Sequence, residues 1–187
     1  MLNYNQVINS EINNNGVSVK EIAPIMKLNL RGKTREFFMN VGKNLNIILP
    51  TEANTSSSSD KLTAIWLSPD EWMIVSNDIL SEENNEYELY DILFNNISKK
   101  SLGAVTDVTD QLVLLELKGD KIYEIFSSSS PYNFNRFKEK KGSVTQTIMN
   151  NTDVIILNKA DNITNMFVRR SYSQHMFDWI NDISSRI

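Results

Sequence analysis

The stretch Leu62–Val75 constrains this chain most. Two short apolar runs, each with a tryptophan (Trp66 and Trp72), flank Ser68-Pro69-Asp70-Glu71. Proline at the second position of a tight turn presets its φ, and aspartate favours turns as well. The pattern predicts strand, turn, strand. Thr63, Ile65 and Leu67 then share one face of the first strand, and Ala64, Trp66 and Ser68 share the other, because side chains alternate along a strand. A hairpin of this kind belongs in a globular core and names no chemistry.

The rest of the chain supplies partners for it. Val17–Ile22 and Met26–Leu30 alternate at period two, with Pro24 breaking the ladder between them; two strands are expected, the first at an edge. Arg31–Thr34 reads as a turn, with Thr34 capping a short helix that buries Phe37, Phe38 and Val41 and stops at Gly42. Thr51–Asp60 holds Ser56–Ser59 and almost nothing apolar, so a solvated loop is expected. Ser81-Glu82-Glu83 suits a helix start. Leu89, Ile92, Leu93 and Ile97 then form one apolar stripe.

Ala104–Thr109 and Leu112–Leu117 read as strands, the second central because it is apolar on both faces. Gly119-Asp120 opens a helix carrying Ile122, Ile125 and Phe126, and Phe134 and Phe137 anchor the following loop. Three closely spaced strands follow, Ser143–Met149, Val154–Leu157 and Asn165–Arg170. Turns lie at Asn150-Asn151 and Lys159–Asn162. Ser171 or Ser173 caps a last helix with Met176, Ile180, Ile183 and Ile187 on one side. Strand runs interrupted by separate helices give an α+β fold with mainly antiparallel sheets and packed helices. A loose echo of strands plus helix in both halves permits two similar lobes. At 187 residues the chain reads as a single domain over 1–187, large enough for a sizeable core, with 1–16 as a mobile, Asn-rich start.

Composition excludes several functions. There is no cysteine, so disulfides, thiolate catalysis and Cys-based zinc sites are out. The net charge of −4 argues against a general nucleic-acid surface. No run of about 18 apolar residues exists, so no membrane-spanning helix is expected, and the chain reads as cytoplasmic. None of the six glycines lie two apart, which removes the common dinucleotide and phosphate cradles.

The remaining candidates are few. His175 is the single histidine and has no carboxylate cluster around it to complete a metal site, so it reads as a surface side chain. Asp70 and Glu71 form either an acid pair for proton transfer or a solvated turn. Asp107 and Asp110 either orient a ligand amine or end a strand and cap a turn. Arg169-Arg170 could clamp a carboxylate, or serve a structural or interface ion pair; alternation puts the two on opposite faces. Trp66, Trp72 and Trp179 are core residues or interface anchors. The residues alone leave these alternatives open, and no catalytic, cofactor-binding or metal position is assigned (each reads none).

At the hairpin the sequence resembles a known family. Ala64–Trp72 is similar to the "LWLGPDEW" stretch of the gamma subunit of heterotetrameric sarcosine oxidase. Further segments agree in order. Leu49-Pro50 with Ala53-Asn54 resembles "LP…N", Asp107–Asp110 resembles "DVSD", and Leu117-Lys118-Gly119 resembles "LSG". Gly142–Thr147 resembles "G…QT", and Arg169–Tyr172 resembles "RSF". The resemblance covers about Leu28 to Ile187. Ser68 stands where the family has glycine, which asks whether the turn needs a positive φ, and Tyr172 stands for a phenylalanine.

The resemblance implies a non-catalytic small subunit, similar in fold to folate-binding aminomethyltransferase domains, with two interleaved lobes. It implies partners in alpha, beta and delta subunits. The complex would demethylate sarcosine oxidatively to glycine, with FAD, FMN, NAD and tetrahydrofolate held in those other subunits. A free-standing folate-binding aminomethyltransferase-like protein is the alternative.

Overall fold

The computed structural model describes residues 5–80 and 86–187. The helix start expected at Ser81-Glu82-Glu83 lies outside them. The chain forms two units, one of Met1–Ala23 with Asp110–Ile187 and one of Pro24–Thr109. The second is thus inserted in the first, as the reading of interleaved lobes implied. Pro24 falls at the junction, and it can neither donate to a ladder nor sit inside a central strand.

The inserted unit is a five-stranded antiparallel sheet. Its strands are β3 (Ile25–Arg31), β4 (Ser56–Ser58), β5 (Leu62–Ser68), β6 (Glu71–Ile79) and β7 (Ala104–Asp107), in the order β4-β5-β6-β3-β7. β5 and β6 are the expected hairpin, with Trp66 opposite Trp72. A two-residue hairpin prefers turns with positive φ at the first central residue, which Pro69 cannot adopt. The register instead shifts between Trp66 and Ser68. No residue from Ser68 to Glu71 has a positive φ, so the turn has no need of the family's glycine at position 68.

Helix α1 (Arg35–Leu45) covers one face of this sheet. Thr34 caps it as expected, its Oγ1 accepting from Phe37 N at 3.1 Å. Gly42 does not end it. The stop is Asn46, held at φ 50° and ψ 38° with its N–H on Gly42 O, because asparagine tolerates the left-handed conformation almost as glycine does. The core beneath is built on Trp72, Phe37, Leu28 and Leu30, all essentially inaccessible to solvent. The Phe38 ring meets Trp72 edge-on at 5.2 Å. Trp72 Nε1 donates to Pro50 O at 2.8 Å, satisfying its one polar atom.

The expected loop Thr51–Asp60 is corrected, since Ser56–Ser58 is strand β4 at the sheet edge. Its serines replace apolar contacts with hydroxyl bonds, Ser58 Oγ to Thr63 Oγ1 and Ser57 Oγ to Ile48 O. The apolar stripe of the next helix holds at Leu93 and Ile97, both fully buried. Here α2 (Glu86–Leu93) widens into a π-helical turn over Phe94–Ser98.

The other unit is a six-stranded antiparallel sheet. It contains β1 (Ile12–Asn14), β2 (Val17–Glu21), β8 (Leu112–Gly119), β9 (Val144–Met149), β10 (Thr152–Ala160) and β11 (Ile163–Arg169), in the order β1-β2-β8-β11-β10-β9. β8 is central, as its two apolar faces required. β2 is not the edge; β1 is. Within the described part of residues 1–16, Ile8 and Ile12 are buried in this unit's core. Glu21 also accepts the N–H groups of Val7 and Ile8 at 2.9 and 2.7 Å.

Helices α3 (Ile122–Ser129) and α5 (Ser173–Ser184) pack on one face, with Ile125, Phe126, Met176 and Ile180 in the core. Phe134 and Phe137 are the buried anchors the sequence indicated, but they belong to a short helix rather than a loop, Phe134 at the cap of α4 (Asn135–Glu139) and Phe137 within it. Asn150-Asn151 and Asn162 take positive φ at the two hairpin turns. Gly119 is irreplaceable in a different way: its φ is +135°, and a Cβ there would sit 1.9 Å from Gly16 O.

Candidate functional site

Each unit ends a seven-residue strand in an arginine, and polar chemistry gathers at both places. In the inserted unit β3 ends at Arg31, whose cross-strand neighbour is Glu71. Glu71 accepts from the Arg31 guanidinium and from Asn29 Nδ2, the latter at 2.7 Å. The hydrogen bond from Arg31 lowers the Glu71 pKa against the opposing effect of burial, with Asn29 helping; the same bond raises the Arg31 pKa. Asp70 stands outside these bonds and acts on Glu71 only through its like charge, which raises the Glu71 pKa. Its carboxylate accepts from Ser68 Oγ at 2.9 Å, and its backbone carbonyl accepts from Gly32 N. Asn29 was absent from the sequence-derived candidates; its signal is the i, i+2 spacing to Arg31 on one strand face.

In the other unit β11 ends at Arg169. An open cleft of about 640 Å³ lies beside it, lined by Val7, Asp110, Gln111, Arg169, Arg170 and Ser171. Arg170 Nη1 pairs with Asp110 at 3.0 Å, its Nη2 donates to Asn5 O at 2.8 Å, and its backbone N–H donates to Gln111 O. The expectation that the two arginines point to opposite faces is corrected. The strand stops at Arg169 and Arg170 opens a single 3₁₀ turn, Arg170–Tyr172, so strand alternation no longer applies and both line the cleft. The expected serine cap of α5 is also absent. Ser173 Oγ donates backward to Arg170 O at 2.8 Å, and Tyr172 stands at the cap without a side-chain bond.

The other candidates have local partners. Asp107 accepts from Thr109 N at 2.8 Å, the strand-ending turn anticipated for it. His175 is exposed, with Nε2 3.2 Å from Asn150 Nδ2. Trp72 is core, while Trp66 and Trp179 are half-buried against their own units' cores.

Sequence reading missed Glu116, a buried carboxylate on β8. Lys118 reaches it at 2.7 Å and Lys159 at 3.2 Å. Burial pushes its pKa up, and hydrogen bonds from the two lysines overcome that, leaving it below the ordinary value. The Glu116-x-Lys118 spacing on a strand was its one signal. Among the described residues, no group of three or more metal-ligating side chains could hold a metal ion, and no helix is long and apolar enough to cross a membrane.

The chain is similar in structure to heterotetrameric sarcosine oxidase from Corynebacterium sp. U-96, solved in complex with pyrrole 2-carboxylate. The TM-score is 0.80 at 21% identity, over 91% of this chain and 84% of that one. It is also similar to the glycine cleavage system aminomethyltransferase T from Bartonella henselae, with a TM-score of 0.61 at 12% identity. That match covers 91% of this chain but 49% of the other, so the chain spans about half of that enzyme. No curated protein sequence matches it. A family model, that of the sarcosine oxidase gamma subunit, matches residues 32–186, and the chain belongs to that family.

Proposed function

We propose that residues 1–187 act as one gamma-subunit-like domain, the non-catalytic small subunit of a cytoplasmic heterotetramer that oxidatively demethylates sarcosine to glycine. Alpha, beta and delta subunits are its partners, and FAD, FMN, NAD and tetrahydrofolate reside in them. The observation that carries this reading is the family match over residues 32–186. Glu71, Asp70, Asp110 and Arg170 are each tied to partners within the chain, which fits a structural use of these groups. The alternative, a free-standing folate-binding aminomethyltransferase-like protein, has the weaker support of a likeness in fold.

The test is affinity capture of the tagged chain from its native cells, with mass spectrometry and a flavin absorption scan. Recovery of larger flavin-bearing subunits with sarcosine-dependent peroxide production is the expected result. A chain that comes down alone and colourless, and that binds tetrahydrofolate in a calorimeter, would replace this function with the alternative.

A further inference from the structure

The two strand-terminal arginines differ in one respect that points to a partner. Arg31 faces Glu71 across the ladder and is neutralised within the chain. On the β8 side Arg169 faces Leu112, which offers it no acid, and on the β10 side the ladder that pairs Val168 with Val154 carries it next to Asp153, with which it forms no ion pair. Among the described residues Arg169 makes no ion pair, although Asp110 lies in the same cleft, because that carboxylate is taken by Arg170. The planar guanidinium is a bidentate donor suited to a carboxylate.

We propose that Arg169 receives a carboxylate side chain, aspartate or glutamate, from a partner subunit docked over this cleft. The proposal rests on the subunit reading above. Arg170, fixed by Asp110, Asn5 O and Gln111 O, is the anchored wall of the site, and among the described residues Arg169 is left as its unpaired cation. Charge complementarity selects an acidic partner segment. Openness selects a macromolecule over a metabolite, since small-molecule sites enclose most of their ligand. Tyr172, 50% exposed one turn beyond, adds an aromatic contact of the kind that surrounds interfacial arginines.

The test measures binding of the full chain to the remaining subunits of the complex at two salt concentrations. It compares wild type with R169E, R169K, L112E and the control K43E, on α1 of the other unit. Far-UV circular dichroism confirms that each variant is folded. Wild-type affinity is expected to fall as salt rises, because the contact is electrostatic. R169E should bind at least about tenfold more weakly with a flatter salt response, and R169K a few-fold more weakly, having lost the bidentate fork. L112E supplies the acid in cis, as Glu71 does for Arg31, and should weaken binding in the same direction as R169E. K43E should bind as wild type.

R169E and L112E both within twofold of wild type would overturn the docking assignment and leave the subunit reading intact. Wild type that fails to bind the other subunits at all would overturn both. Binding of succinate to the isolated chain, abolished in R169E, would make the cleft a small-molecule site and end the docking assignment by that route.

Discussion

The β3–α1 and β11–α5 segments are built to the same plan in the two units. Each is a seven-residue strand ending in arginine, three connecting residues, and a helix of 11 or 12 residues. They differ in how the junction is closed. In β3–α1, Glu71 neutralises the arginine and Thr34 caps the helix. In β11–α5, Leu112 stands opposite the arginine and no side chain caps the helix. The first junction satisfies its polar groups internally. The second leaves a cation and a helix start open beside a cleft. Local polar closure is therefore a choice made junction by junction, and the unclosed one is where an interaction surface can lie.

The largest effect should come from the core under α1. Trp72→Ala removes a fully buried ring, its edge contact with Phe38 and its bond to Pro50 O, and should cost about 3–5 kcal/mol in urea or guanidinium unfolding. A loss below about 1 kcal/mol would mean that the closed junction does not depend on the hairpin beneath it. Thr34→Ala comes next, at about 1 kcal/mol, because one helical N–H loses its acceptor. Its counterpart Ser173→Ala removes a donor to Arg170 O and no cap. Exchanging one hydroxyl side chain for the other should therefore affect the two sites differently: Thr34→Ser should keep most of the stability, whereas Ser173→Thr should not, because Ser173 is fully buried and has no room for the added methyl. Equal rescue at both positions would erase the distinction between a capped and an uncapped helix.

How much of this was legible in the sequence follows from what each signal depends on. Period-two alternation depends on burial alone, so β2, β3, the β5–β6 hairpin and the three closing strands could be read directly. Thr34 was legible because a cap is a local bond three residues long. β4 was not, because Ser56–Ser58 has no apolar face and becomes a strand only when β5 supplies its partner. Asn46 was hidden by Gly42, four residues earlier and the better residue by propensity; the helix continued because Leu45 still had a core to enter. At the candidate site, Arg169 and Arg170 were found by type but misplaced by direction. Alternation holds only while the strand does, and the strand ends between them. Glu116 and Lys118 share β8 at a spacing of two, but Lys159 reaches Glu116 from β10 with β11 between them, a pairing no linear spacing encodes.

The smallest effect tests the closed junction by its charge. Glu71 has a native pKa below its ordinary value, chiefly through the hydrogen bond from Arg31. A carboxylate lowered in the folded state stabilises the protein in full above its unfolded pKa of about 4.3, and that contribution is lost as the pH falls through the lower native value. Glu71→Gln keeps the bond from Asn29 and removes the charge. It should lower Tm by roughly 2 °C at neutral pH, and the gap to wild type should close as the pH drops below about 4. The Arg31 guanidinium is largely exposed, so solvent screening keeps the effect modest and added salt should shrink it further. Leu112→Glu at the other junction should behave inversely, gaining a pH-dependent contribution over the same acidic range as the new carboxylate meets Arg169. If Leu112→Glu shows no such acid limb while Glu71→Gln loses one, Arg169 does not turn toward its cross-strand position, and the two junctions differ in side-chain direction as well as in their acids.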